Sequence, residues 1–130
     1  MHITLEADYA VRIVDYLAIS NNRQDANTIS KSTSVPRRFA LKILRKLVEK
    51  NIVKSYRGAN GGYVLSRHPS EITLCEVIEC VEGRYFINRC LNGEYKCDQT
   101  CCRLHKIYDE ISDTVREKLR SVTFDMISKN

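Results

Sequence analysis

A glycine-rich segment, Gly58-Ala59-Asn60-Gly61-Gly62, stands between two short stretches of strand character at residues 52–57 and 63–65. Glycine reaches the positive backbone angles of a tight reversal without side-chain strain, so the segment predicts an antiparallel β-hairpin. A hairpin alone fits many folds; what precedes it narrows the choice. Apolar residues at Leu5, Tyr9, Ile13 and Leu17, with Ala10 and Val14 beside them, form the stripe of an amphipathic helix that Asn21-Asn22 ends. Asp25 suits a helix N-cap, and a short second helix follows through Ile29 toward a turn at Ser32-Thr33-Ser34. Pro36 suits the first position of a third helix, where its missing N–H costs nothing, and Phe39, Ile43, Leu44, Leu47 and Val48 mark that helix's buried side up to Asn51.

The third helix carries Arg37, Arg38, Lys42, Arg45, Lys46 and Lys50, with Glu49 its only acid. Two short helices followed by a basic one match a helix-turn-helix, whose last helix lies in the DNA major groove. The hairpin then reads as a wing that reaches the minor groove or lies along phosphates. The expected fold is mainly α with a small β-hairpin wing: a winged helix-turn-helix followed by a long helix. Arg37, Arg38 and Lys42 face the groove in this reading, and Arg57 and Asn60, with Tyr56 beside them, make the wing contact. The charge balance agrees, because residues 1–70 hold 12 Lys and Arg against 5 Asp and Glu, while residues 71–130 hold 9 against 11. A surface merely solvated by Lys and Arg is the plainer alternative.

Beyond the wing, Thr73-Leu74-Cys75-Glu76 reads as a capping box that starts a helix with Leu74, Val77, Ile78 and Val81 inward and Gly83 at its end. Cys75 and Cys80 are five apart on it, poor geometry for sharing one ion, and read as small packing residues. Leu104, Ile107, Tyr108, Ile111, Val115, Leu119 and Val122 step by three and four along a long helix, and Thr123 begins a last turn around Phe124 and Met126. Such a stripe must be covered, and the sequence predicts both a fold-back on the first helix and a homodimer of the two-fold symmetry that a palindromic operator demands. The division is then a DNA-binding domain over residues 1–83, a cysteine-rich loop over 84–103, and a dimerisation helix and tail over 104–130. The chain has no apolar run of the about 18 residues that read as a membrane span, and Glu6 and Asp8 stand where a signal peptide would be basic and then apolar, so a cytoplasmic protein without a membrane partner is expected.

The stretch at 89–105, RCLNGEYKCDQTCCRLH, concentrates four of the six cysteines and one of the three histidines. Thiolate sulfur and imidazole nitrogen are the strong donors for soft and borderline metal ions, so the crowding points to a metal or redox site. Cys102 and His105 sit three apart, which places them on one face where a helix begins. Zinc in a Cys₃His loop and a thiol switch among Cys97, Cys101 and Cys102 use the same atoms and stay open as alternatives. A thiol enzyme or small electron carrier is excluded by the absence of a CxxC pair, a phosphate-cradling glycine loop or a placeable Ser-His-Asp set.

The segment RGANGGYVLSRHPSEITLCEVIECVEG, preceded by VPRRFALKILRKLVEKNIV and followed by a cysteine loop, resembles the Rrf2 family of winged-helix regulators, with the likeness extending from ITLEADYAVR to the last helix. The resemblance implies a dimeric, non-enzymatic bacterial transcription factor binding double-stranded DNA. In members with three loop cysteines it implies an iron-sulfur cluster, [2Fe-2S] or [4Fe-4S], whose state sets DNA affinity in response to redox, nitric oxide or iron-sulfur status. Carried over by position, the first two ligands fall on Cys90 and Cys97. Six residues separate these, and three or four separate Cys97 from Cys101 or Cys102, against the five common in the family. The Cys-x-x-His ending favours Cys102 as the third ligand, with Cys101 as the alternative. For the fourth, the family offers either a histidine, here His105, or an aspartate from the opposite subunit's first helix, here Asp8.

Overall fold

The computed structural model describes residues 2–20, 22–93 and 103–128. Helix α1, Leu5–Ile19, begins where the Thr4 hydroxyl accepts the Ala7 N–H at 3.2 Å, and it buries Ala7, Ala10, Ile13, Val14 and Leu17. Helix α2, Ala26–Thr33, is capped by Asp25, whose carboxylate accepts the Thr28 N–H at 2.7 Å. Ser34 ends it in the left-handed region at φ 57°. Helix α3, Arg37–Glu49, buries Ala40, Ile43, Leu44 and Leu47.

Two expectations for α3 are corrected. Pro36, at φ −54° and ψ 136°, lies outside the helix as its cap, and its carbonyl accepts the Ala40 N–H at 2.9 Å. Phe39 is 44% exposed, because Ala40 takes the inward position of that turn and leaves Phe39 at the stripe's edge. Its ring packs at 5.9 Å on that of Tyr9.

Strands β1, Val53–Tyr56, and β2, Gly62–Leu65, pair antiparallel with Val53 opposite Leu65 and Tyr56 opposite Gly62. A single bridge between Gln24 and Tyr63 fastens the α1–α2 connection along the outer edge of β2. The backbone bonds are 3.1 Å from Gln24 N to Tyr63 O and 2.8 Å from Tyr63 N to Gln24 O.

Helix α4, Leu74–Glu82, starts as read at Thr73, whose hydroxyl accepts the Glu76 N–H at 3.1 Å. The reciprocal half of the capping box is corrected: the Glu76 carboxylate pairs with Arg67, a guanidinium being a stronger partner than a neutral amide. Helix α5, Leu104–Ser121, packs on α4 and on a short 3₁₀ turn at Arg89–Leu91. Helix α6, Phe124–Ser128, packs on α1, so the fold-back expected of the long helix is made chiefly by α6.

The core is one cluster in which α1 lies against α2, α3, α4 and α6. Phe124 is fully buried, and its N–H bonds the Ile72 carbonyl at 3.2 Å. Burial of such a side chain is worth about 1.5–3 kcal/mol, enough to hold α6 against α1. Among the described residues no helix is long and apolar enough to cross a membrane.

Candidate DNA-binding face and cysteine loop

Because the inward positions of α3 are apolar, its charges fall on the opposite face, where Arg37, Arg38, Lys42 and Arg45 are all exposed. Lys42 shares Glu6 of α1 with Lys46, at 3.8 and 2.8 Å respectively. Among the described residues no carboxylate pairs with Arg37, Arg38 or Arg45. This is the unneutralised charge that a phosphate backbone attracts.

In the wing, Tyr56, Arg57 and Asn60 are exposed, and the turn closes through Gly61 N to Gly58 O at 2.9 Å. The two consecutive glycines have a specific cause. A Cβ at Gly61 would stand 2.5 Å from the Tyr56 carbonyl oxygen, and one at Gly62, φ 142°, would stand 2.8 Å from that of Gln24. Close approach of backbone, beyond turn geometry, therefore requires both. Sequence reading passed over Arg23: its guanidinium lies 3.5 Å from the centroid of the Tyr56 ring, and its Nη1 donates to the Asn60 carbonyl at 3.2 Å. The bridge between Gln24 and Tyr63 brings it there, a long-range register with no local signature.

On the other side of α4, the chain leading to Cys90 is fastened to two helices. The Tyr85 N–H donates to Glu79 of α4 at 2.7 Å, and the Ile87 N–H donates to Ser112 of α5 at 2.9 Å. Ser112, a buried polar residue, is itself satisfied by donating to the Tyr108 carbonyl at 2.8 Å. Cys90 follows in the 3₁₀ turn that rests on α5, half-buried. His105 is exposed in the first turn of α5 and lines a cleft of about 240 Å³ together with Leu91, Asp109 and Asp113. Asp8 lies in the first turn of α1, paired with Arg12 at 2.8 Å. Cys97, Cys101 and Cys102 lie outside the described residues. No group of three metal-binding side chains occurs among the described ones.

Cys75 and Cys80 pack against the interior. Burial and the neighbouring Glu79 push the Cys75 thiol up to about 11, and its Sγ donates to Glu79 at 3.0 Å. Burial likewise raises Cys80, whose Sγ contacts the Lys46 carbonyl at 3.5 Å. Neutral thiols are poor ligands and poor nucleophiles.

A helix-turn-helix whose third helix presents Arg37, Arg38 and Arg45 without a carboxylate partner among the described residues, followed by a braced hairpin wing, is the architecture of a winged-helix transcriptional regulator. The chain belongs to the Rrf2 family, described as "Iron-dependent Transcriptional regulator", whose model matches residues 3–130. It is 32% identical to the HTH-type transcriptional regulator NsrR of Bacillus licheniformis over 96 residues, 72% of this chain and 67% of that one. To IscR of Pectobacterium atrosepticum it is 25% identical over 132 residues, 100% of this chain and 80% of that one. Among solved structures it resembles CymR, the global cysteine regulator of B. subtilis, with TM-score 0.81, 25% identity and coverage of 99% and 97%. T. potens IscR superposes with TM-score 0.79 at 22% identity, covering 99% and 87%. The oxidized form of Staphylococcus aureus CymR gives 0.79 at 19%, covering 100% and 98%, a likeness of fold.

Proposed function

We propose that the chain is a cytoplasmic, homodimeric repressor of a palindromic operator whose DNA affinity is set by an iron-sulfur cluster, [2Fe-2S] or [4Fe-4S]. In this reading residues 1–83 bind the duplex, 84–103 sense, and 104–130 join the two copies. Cys90, Cys97 and Cys102 would hold the cluster, Cys101 being the alternative third thiol and His105 or the opposite copy's Asp8 the fourth ligand. The donor chemistry fits, since thiolates grip iron firmly and one imidazole or carboxylate leaves a labile position. When bound, the cluster supplies iron that reacts with nitric oxide, oxygen or electrons.

The observation that carries the reading is the fastening of the Cys90 segment. It is tied by backbone N–H groups to Glu79 on α4 and Ser112 on α5, and α4 packs on both α1 and α3. A change in the loop therefore reaches the recognition helix through contiguous packing. A ligand shifts such an equilibrium only by its differential affinity for the two poses. The likeness to NsrR and IscR, and the family's description as iron-dependent, support the same reading.

The test is anaerobic purification with iron and sulfide counts, a visible spectrum, and operator affinity before and after replacing the loop thiols by serine. Brown protein whose affinity changes on replacement upholds it. Iron-free protein that holds its operator equally well after replacement ends it. A thiol/disulfide switch would use the same loop cysteines, and mass spectrometry before and after reduction detects it. Colourless protein with stoichiometric zinc would establish a zinc site instead.

A further inference from the structure

We infer that Arg23, in the connection between α1 and α2, is a phosphate contact of the DNA-binding face, held ready by the wing. The inference rests on the DNA-binding reading and adds to it a residue from outside both the recognition helix and the hairpin. Arg23 is exposed, yet two groups fix its guanidinium: the Tyr56 ring at 3.5 Å and the Asn60 carbonyl at 3.2 Å. The carbonyl takes one N–H from Nη1, and a guanidinium has five in a planar fork. Among the described residues no carboxylate pairs with it. An Arg stacked on an aromatic face has already surrendered side-chain freedom, and its remaining donors suit the oxygens of a phosphate.

The supporting backbone is also built for this place. Gln24 bridges Tyr63, and the Tyr16 hydroxyl donates to the Gln24 side-chain oxygen at 2.8 Å, so the residue next to Arg23 is anchored on both β2 and α1. Gly62 permits the approach, because any side chain there would meet the Gln24 carbonyl. The stack engages Tyr56 and the tip residue Asn60, and Arg57 lies directly between these in sequence, so Arg23 shares the wing's end of the interface.

The test uses full-length protein and a duplex selected by the unmodified protein from a random-sequence library, with affinity measured across a range of salt. Arg23→Ala is expected to weaken binding about tenfold and to flatten the salt slope by about one unit, the signature of one lost phosphate contact. Arg23→Lys keeps the slope and recovers part of the affinity. Tyr56→Leu keeps the slope and lowers affinity, because the charge stays while its support goes. Circular dichroism and a thermal melt check each variant's fold. Unchanged affinity for Arg23→Ala overturns the inference, and so does a loss of affinity with the slope intact, which would make Arg23 a wing brace alone. Should the unmodified protein select no duplex, the DNA-binding reading itself fails and this inference falls with it, an outcome distinct from a duplex-binding parent whose Arg23→Ala variant is unchanged.

Discussion

Glu79 of α4 and Arg116 of α5 form a forked ion pair, with Nη2 to Oε1 at 2.9 Å and Nε to Oε2 at 3.2 Å. The same carboxylate also accepts the Cys75 thiol and the Tyr85 N–H. Four donor groups from three parts of the chain thus converge on one side chain. With side chains only 17% and 14% exposed, the pair is shielded enough to count in stability. Arg116→Ala should destabilise the fold by about 1.5–3 kcal/mol, the worth of hydrogen bonds to a charged group, read as a shift in the denaturation midpoint. A variant as stable as the parent would show the pair to be solvent-screened.

The same carboxylate makes stability pH-dependent. Burial pushes Glu79 up, but hydrogen bonds from Arg116, Cys75 and the Tyr85 N–H outweigh this and hold it below its ordinary 4.5. A group with a lowered folded-state value contributes its full stability above the unfolded value and loses it as pH falls through the folded one. Unfolding free energy should therefore drop below about pH 4.5, and Glu79→Gln should show a shallower decline over that range. Equal acid slopes for parent and variant would count against this assignment.

Gly62 supplies a third expectation. Alanine there meets both φ 142° and a carbonyl oxygen at 2.8 Å, so the Gln24–Tyr63 bridge must open. Strain of this kind costs about 1–3 kcal/mol. Because Arg23 loses its seat as well, DNA affinity should fall even where the helices remain folded by circular dichroism. Gly58→Ala is the comparison: φ 96° strains it too, yet its added carbon meets nothing within 4 Å, so bridge loss should be specific to Gly62.

How much of this was legible follows from how local each cause is. Thr4, Asp25 and Thr73 cap helices through an N–H three residues on, and of these Asp25 and Thr73 could be read directly. The wing was readable because glycine has few other reasons to cluster between strand-like runs. Glu79 with Arg116 and Arg23 with Asn60 were not, since each pair is separated by 37 residues and nothing in a linear pattern encodes such pairing. Phe39 misled because an apolar residue at the edge of a stripe looks the same as one at its centre until Ala40 claims the interior. The cysteine ligand set stays an inference from spacing and likeness, as Cys97, Cys101 and Cys102 fall outside the described residues.

The two cysteines outside the loop should be chemically silent. With its thiol pushed from 9.0 to about 11, Cys75 in the folded protein carries about 100-fold less thiolate than when unfolded, at any pH well below both values. Alkylation at pH 8, followed by peptide mass spectrometry, should label the peptide holding Cys75 and Cys80 far more slowly than the same peptide from denatured protein. Equal rates would mean that α4 opens readily, which its place against α1 and α3 argues against.

The last expectation concerns α5. Leu104, Ile107 and Ile111 are 50%, 49% and 38% exposed and follow one another by three and four residues, so they form one uncovered apolar line. In the proposed dimer, covering the exposed part of six such side chains gains about 4–8 kcal/mol at about 1.5–3 kcal/mol per fully buried side chain, comparable to the lower half of the about 4–15 kcal/mol lost in bringing two bodies together. Glutamate at both Ile107 and Ile111 would place like charges in that seam. Light scattering after size exclusion should then report 15.0 kDa for the double variant and twice that for the parent. Two half-sites need two linked copies, so the variant should also lose affinity for a palindrome more steeply than for a single half-site. A double variant that keeps the parent's mass would move the interface off this line and leave the exposed apolar face of α5 without the role assigned to it.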